Sequence, residues 1–157
     1  MTAEELAVLV QDQISSISDI DVRSALAQII VKPSRHQRKW DYGAEGQTYP
    51  CWTVAEDMKT DTRFLFSEFG HGETHPWGIV SFSSEWFGMD CGWFANLEDA
   101  FCESFSVSPL RIWEIMADNK IIEKGLTMDE AFAKQKVLNQ GGERKFHVSR
   151  RNIREID

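Results

Sequence analysis

Two histidines, His71 and His75, stand four residues apart near the middle of the chain. On a helix this spacing presents both imidazoles to one metal ion, as in the His-Glu-x-x-His enzymes. The glycine between them and the proline after His75 disfavour a helix at this point. Cys51 and Cys91 could complete a tetrahedral site, but the chain has no Cys-x-x-Cys pair to anchor it. We therefore interpret the stretch as a polar loop and expect neither a metal ion nor any other cofactor.

Cys91 is the candidate for nucleophilic catalysis, because a thiolate beside a base can attack a carbonyl carbon. The adjoining Asp90 argues against this role, since a neighbouring carboxylate disfavours the thiolate. Glu68, Glu85 and Asp90 fall among aromatic residues, as the carboxylate pair of a glycosidase would. We assign no catalytic residue. One functional alternative is nevertheless a small hydrolase that uses residues from the set His71, His75, Glu68, Asp90 and Cys91.

Tryptophan is concentrated in the same part of the chain. Five of the six tryptophans lie within 54 residues, at Trp40, Trp52, Trp77, Trp86 and Trp93. Some must belong to the core, but strands and turns of this length cannot bury them all. An exposed tryptophan beside acidic groups is typical of an anchor in a binding surface. We therefore predict a partner-binding surface formed by Trp77, Glu85, Trp86, Asp90, Trp93, Glu68 and Glu73.

The net charge of −8 is unevenly distributed. Residues 1–106 contain 7 Lys and Arg against 17 Asp and Glu, whereas residues 107–157 contain 10 against 8. Because nucleic-acid binding draws its affinity from Lys and Arg, we expect a basic protein partner and no nucleic acid. Residues 32–48, which begin with a basic stretch at 32–39, are interpreted as a solvated polar loop, and the basic residues at 144–154 as a solvated edge strand.

The chain has no run of 18 apolar residues, and its acidic first residues do not resemble a signal peptide. Three cysteines are an odd number, which fits reduced thiols better than a disulfide framework. We therefore expect a cytoplasmic protein without a membrane-spanning segment. The sequence leaves the oligomeric state open.

A helical hairpin is predicted at the start of the chain. Thr2 and Glu5 form a capping-box pattern before an apolar stripe, and Asp19 caps a second helix that ends before Pro33. Alternating strands follow at residues 51–56, 63–69 and 77–83, which predicts an antiparallel meander. Asn96 is a suitable N-cap for a helix that includes Leu97 and Phe101.

The remaining chain has its own pattern of two strands, a helix and a strand. We expect residues 107–109 to be a linker, Thr127 to cap the helix, and residues 145–149 to form the last strand. The predicted fold class is α+β, with an N-terminal helical hairpin, an antiparallel sheet of three to five strands with a helix packed on it, and a C-terminal ββαβ unit. The predicted domains are residues 1–106 and 107–157, the second packed on the first.

Three segments together form a specific pattern: YPCWTV at 49–54, PWG at 76–78 and GMDCGWFANLEDAF at 88–101. This pattern resembles a group of small uncharacterised bacterial proteins. By size and charge, such proteins are similar to the immunity proteins of toxin systems. The resemblance covers about Trp40 to Phe105, and the unit from Arg111 onwards departs from the short form of the group.

We therefore predict a non-enzymatic acidic binding protein, an immunity protein or inhibitor that neutralises a basic toxin such as a nuclease in bacteria. Two alternatives stay open. One is the small hydrolase described above. The other is a phage or plasmid accessory inhibitor that acts as an acidic mimic of nucleic acid.

Overall fold

The chain divides into two units, Met1–Val107 and Ser108–Asp157. The computed structural model describes residues 1–40, 43–68, 74–87, 92–110, 113–118, 120–140 and 146–150. Within these ranges the fold is α+β, with antiparallel sheets and helices at the N-terminus, which confirms the predicted class. No helix of the described ranges is long and apolar enough to cross a membrane.

The N-terminal hairpin consists of α1 (Ala3–Ser16) and α2 (Ile20–Ile29). The capping box predicted for α1 is present, because Glu5 N donates to Thr2 Oγ1 at 3.2 Å and Thr2 N donates to Glu5 Oε2 at 2.7 Å. Asp19 caps α2 by accepting from two backbone N–H groups. The apolar stripes are buried at Leu6, Val10, Ile14, Ile17, Val22 and Leu26.

The first unit is built on a five-stranded antiparallel sheet with the order β1-β2-β3-β4-β5. Its strands are β1 (Ile30–Lys39), β2 (Thr48–Asp57), β3 (Thr62–Phe66), β4 (Trp77–Val80) and β5 (Trp93–Phe94). The three strands of the predicted meander are therefore present. The two-residue β5 had no clear sequence pattern.

The interpretation of residues 32–39 as a loop is wrong, since they belong to the long edge strand β1. Its backbone pairs with β2 from Ile30 opposite Ala55 to Lys39 opposite Thr48. The register shifts between Ile30 and Ser34, where Pro33 lacks an N–H group and interrupts regular pairing. An edge strand can carry polar side chains because much of it faces water, and this conceals it from a hydrophobicity pattern.

The two faces of this sheet have different partners. Phe64 packs against Phe101 of α3 (Leu97–Glu103), with ring centroids 6.1 Å apart. The next residue, Leu65, points to the opposite face and packs in a second cluster with Cys51, Val80, Phe87 and Trp93. Helices therefore cover one face, which we call the helical face. The other face, which we call the strap face, is covered in part by residues 81–87, the strap.

The second unit contains β6 (Trp113–Ala117), β7 (Lys120–Leu126), α4 (Met128–Gln140) and β8 (His147–Arg150). The strand order is β7-β6-β8, which confirms the predicted ββαβ unit. Glu130 N donates to Thr127 Oγ1 at 3.4 Å, so Thr127 caps α4 as expected. Ile115, Leu126 and Ala131 form the buried core. A 3-10 helix at Phe105–Leu110 stands where a linker was expected.

Candidate functional site

Two tryptophans of the predicted partner-binding surface are core residues. Trp77 is 2% exposed on the helical face, where its ring centroid lies 5.0 Å from that of Phe66. Trp93 is 4% exposed on the strap face, and its Nε1 donates to the Phe87 carbonyl oxygen at 3.0 Å. Their assignment to a surface is corrected, because side chains this buried have no face left for a partner. They also lie on opposite faces of the sheet.

Glu85 and Trp86 do lie at the surface. Trp86 is 43% exposed, and Lys39 Nζ lies 5.7 Å from its ring centroid. The same Nζ lies 3.1 Å from Glu85 Oε2. An exposed aromatic ring beside a lysine side chain keeps the properties of a binding anchor. We call Lys39, Glu85 and Trp86 the strap patch.

The predicted surface also included Glu68, Asp90 and Glu73. Glu68 follows β3 and lies 3.1 Å from the amino nitrogen of Met1. Asp90 and Glu73 fall outside the described residues. His71 and Cys91, two residues of the set named for the small hydrolase, also fall outside the described residues.

Cys51 is fully buried on β2. Burial raises the pKa of its thiol, and the positive charge of Arg38 opposes that rise only in part. The protonated, inaccessible thiol therefore acts as a small core residue. His75 is exposed, and its Nδ1 lies 2.8 Å from Thr74 Oγ1. Among the described residues, no group of three or more His, Cys, Asp or Glu could hold a metal ion.

The strap is fastened to β1 by backbone and side-chain contacts. Lys39 N donates to Glu85 O and Phe87 N donates to Lys39 O, both at 2.9 Å. The buried Arg38 guanidinium donates through Nη1 to the carbonyl oxygens of Ser84 and Trp86. The sequence analysis missed this role of Arg38, because an arginine among five polar neighbours carries no pattern that marks it as buried.

Arg63 supports the same strap from β3. Its Nε donates to Glu56 Oε1 at 2.9 Å, and its guanidinium carbon lies 4.5 Å from the centroid of Phe82. Between the strap and the sheet edge is a cleft of about 290 Å³. Its lining is mostly polar and consists of His36, Gln37, Arg38, Lys39, Thr48, Arg63, Ser84 and Glu85.

Charge is separated between elements of the first unit. Residues 1–29 contain five carboxylates and one arginine, and residues 96–104 contain three carboxylates and no Lys or Arg. Strand β1 has the opposite composition, with four Lys and Arg, one His and no carboxylate. The helical layer is thus strongly acidic, whereas the first strand is basic.

Exposed apolar residues accompany the acidic layer. Val8 is 62% exposed on α1, and Ile20 is 58% exposed at the start of α2. Val8 lies one helical turn from Glu4 and from Asp12, so the three side chains share a face of α1. A basic protein surface can pair its Lys and Arg with the two carboxylates and at the same time bury the apolar side chain between them.

No protein-family model matches this chain, and neither a curated protein nor a solved structure matches it. The resemblance of the 49–101 pattern to small bacterial proteins therefore stays a prediction.

Proposed function

We propose that the protein is a non-enzymatic cytoplasmic binding protein, an inhibitor of the immunity type that neutralises a basic toxin such as a nuclease in bacteria. The observation that supports this most is the acidic helical layer, with eight carboxylates and one arginine over residues 1–29 and 96–104. Such a layer attracts a basic protein over a distance of about 10 Å at ordinary ionic strength.

The binding surface that fits best is the outer face of α1. Glu4, Val8 and Asp12 follow one another at four-residue spacing and are all exposed. Complementary charge speeds association and selects the partner, whereas burial of Val8 adds affinity. This surface replaces Trp77 and Trp93 in the predicted site, and it is separate from the strap patch.

The strap patch is the second surface on which the proposal can be tested. Trp86 is the most exposed tryptophan of the originally predicted set that the structure describes, and Glu85 and Lys39 flank it. A partner that docks there would bury the Trp86 ring and would depend little on salt, because Glu85 and Lys39 already neutralise one another.

The experiment compares capture from a lysate of the native host by the wild-type chain and by three variants. Glu4→Lys with Asp12→Lys reverses the charge on α1, and Trp86→Ala removes the exposed ring. Glu45→Lys with Lys59→Glu is the control, since both residues lie in exposed loops and leave the net charge unchanged. Captured proteins are identified by mass spectrometry and rebound after purification at 50 and 300 mM salt.

We expect a basic protein that binds the wild type and the control and that loses about tenfold or more in affinity toward the α1 variant. Its binding should weaken as salt rises, and the purified chain should inhibit its activity. A partner that binds the α1 variant as tightly as the wild type would contradict the proposal. If duplex DNA competes for the same site, the basic partner is a nucleic-acid-binding protein and the alternative of acidic mimicry gains support.

A further inference from the structure

The buried guanidinium of Arg38 forms no ion pair with any described residue of the first unit. Arg38 is 4% exposed. Its Nη1 donates to two carbonyl oxygens of the strap, whereas its Nε has no hydrogen-bond partner in the described part of the chain. A buried charge without a counter-charge is costly, so an anion nearby would stabilise this arrangement.

Two further cations lie near Arg38, and each is paired with a carboxylate. Lys39 and Arg63 line the same cleft, each beside one carboxylate, namely Glu85 and Glu56. Each of these two pairs is neutral, so the charge of Arg38 is the net positive charge among the described residues that line the cleft. The Cys51 thiol interacts with the Arg38 guanidinium, but it is only a weak hydrogen-bond acceptor. Burial raises the pKa of this thiol and keeps it protonated, so it supplies no negative charge.

His36 of β1 lies in the electrostatic field of the same two arginines. Its pKa is lowered by partial burial first, then by the charges of Arg38 and Arg63, with Glu56 opposing. Its Nε2 lies 3.0 Å from Ser34 Oγ at the edge of the strand. An anion placed among these groups would be attracted by both arginines, and it would favour the protonated imidazole.

We propose that the cleft between the strap and β1 is a binding site for an oxyanion, a carboxylate or phosphate group of a small ligand. The cleft volume of about 290 Å³ accommodates such a group together with several more heavy atoms. His36, Lys39 and Arg63 supply charged or polar donors from two strands, and Thr48 adds a hydroxyl group. The site is basic within an acidic protein, and it is independent of the proposed surface on α1.

The test measures binding of inorganic phosphate and of acetate to the full chain by isothermal titration calorimetry and by the shift of the thermal midpoint. Sodium chloride at matched ionic strength is the reference. A ligand that binds only the folded state raises the midpoint, so both probes report on the same equilibrium. If phosphate binds more tightly, the site is assigned to phosphorylated ligands. If acetate binds more tightly, the site is assigned to carboxylate ligands, and either result supports an oxyanion site.

The variants are Arg63→Gln and His36→Gln. Both leave Arg38 and its hydrogen bonds to the strap in place, and His36→Gln also leaves the contact between Arg63 and Phe82 unchanged. Each should weaken phosphate binding about tenfold, the usual loss for one charge-assisted hydrogen bond. Lys32→Gln is the matched control, because it removes an exposed positive charge from the same strand outside the cleft, and it should change the affinity by less than about twofold. The proposal is overturned if neither oxyanion binds better than chloride, or if Lys32→Gln weakens binding as much as Arg63→Gln.

Discussion

The contact between Gly78 and Trp93 can be tested by adding a single methyl group. Gly78 lies in β4 opposite Trp93 of β5, and a Cβ built on Gly78 would lie 2.8 to 2.9 Å from three carbon atoms of the Trp93 indole. The indole cannot move aside easily, because it packs 5.4 Å from Phe87 and is held by the hydrogen bond to the Phe87 carbonyl oxygen. Gly78→Ala therefore overpacks the strap-face core.

The expected loss in the free energy of unfolding is about 1 to 2 kcal/mol. Overpacking a close-packed core costs about 1–3 kcal/mol. Replacing glycine by alanine inside a strand recovers about 0.5 to 1 kcal/mol of conformational entropy where the space exists. The assay is urea unfolding monitored by tryptophan fluorescence and circular dichroism, with an unchanged m-value as the check that only stability has changed.

A double-mutant cycle with Trp93→Phe isolates the contact. Phenylalanine lacks part of the indole that meets the added methyl group, so Gly78→Ala should cost less in the Trp93→Phe background, with a coupling energy of about 1 kcal/mol. Equal costs in the two backgrounds, or a Gly78→Ala variant as stable as the wild type, would refute the packing argument.

Three further predictions follow from burial and hydrogen bonding. Trp77 is 2% exposed and Trp86 is 43% exposed, so Trp77→Ala should cost about 3–5 kcal/mol of unfolding free energy and Trp86→Ala less than about 1 kcal/mol. Urea unfolding measures both values, and similar costs would contradict the argument from burial. Asn96→Ala should cost about 1 kcal/mol in urea unfolding, because Asp99 N donates to Asn96 Oδ1 at 2.7 Å at the start of α3. Asn96→Ser is the control, because it keeps a capping oxygen and places no second carboxylate against Asp99, whose Oδ2 accepts from Asn96 Nδ2 at 2.7 Å; it should recover most of the loss. Partial burial tends to raise the pKa of Asp57, but hydrogen bonds from Thr60, Ser106 and backbone N–H groups outweigh burial and lower it below 3.8. The ionised carboxylate therefore contributes stability above pH 3.8, and this contribution disappears as pH falls through the lower pKa of the folded state. The stability advantage of the wild type over Asp57→Asn should be constant at neutral pH and should shrink below about pH 4; a difference independent of pH would exclude this titration.

The charge separation in the first unit explains how one chain can present two unlike surfaces. Carboxylates favour helix N-termini and solvated helix faces, which places Glu4, Glu5, Asp19 and Asp21 in the helical layer. Lysine and arginine on an edge strand discourage pairing with other sheets, which suits β1. These local preferences place eight carboxylates in the helical layer and four Lys and Arg residues in β1, so the first unit has one acidic surface and one basic surface.

Helices and their caps could be predicted because their determinants are local in the chain. Thr2 with Glu5 and Asp19 each satisfy backbone N–H groups within three residues, and Asn96 does the same for α3. The strands with alternating apolar residues, such as Phe64 and Phe66, were recognisable for the same reason. The ββαβ order of the second unit followed from equally local patterns of turn, cap and strand.

β1 could not be predicted, because its pairing partners lie between 9 residues (Lys39 with Thr48) and 25 residues (Ile30 with Ala55) away and most of its own side chains are polar. The burial of Arg38 depends on carbonyl oxygens of Ser84 and Trp86, more than 40 residues further along the chain. A local pattern contains no trace of such a contact. The basic stretch therefore looked like a solvated loop, although it forms an edge strand and one wall of a cleft.

The sequence by itself determined the α+β class, the N-terminal caps of the helices, the acidic balance and the concentration of tryptophan between residues 40 and 93. Only the tertiary structure decided which tryptophans are buried. The pleat sends adjacent residues to opposite faces, and pairing of Trp93 with Gly78 leaves space for an indole over the sheet. Trp77 and Trp93 thereby enter two different cores, and Trp86 stays at the surface because the strap reaches the edge of β1 at that residue.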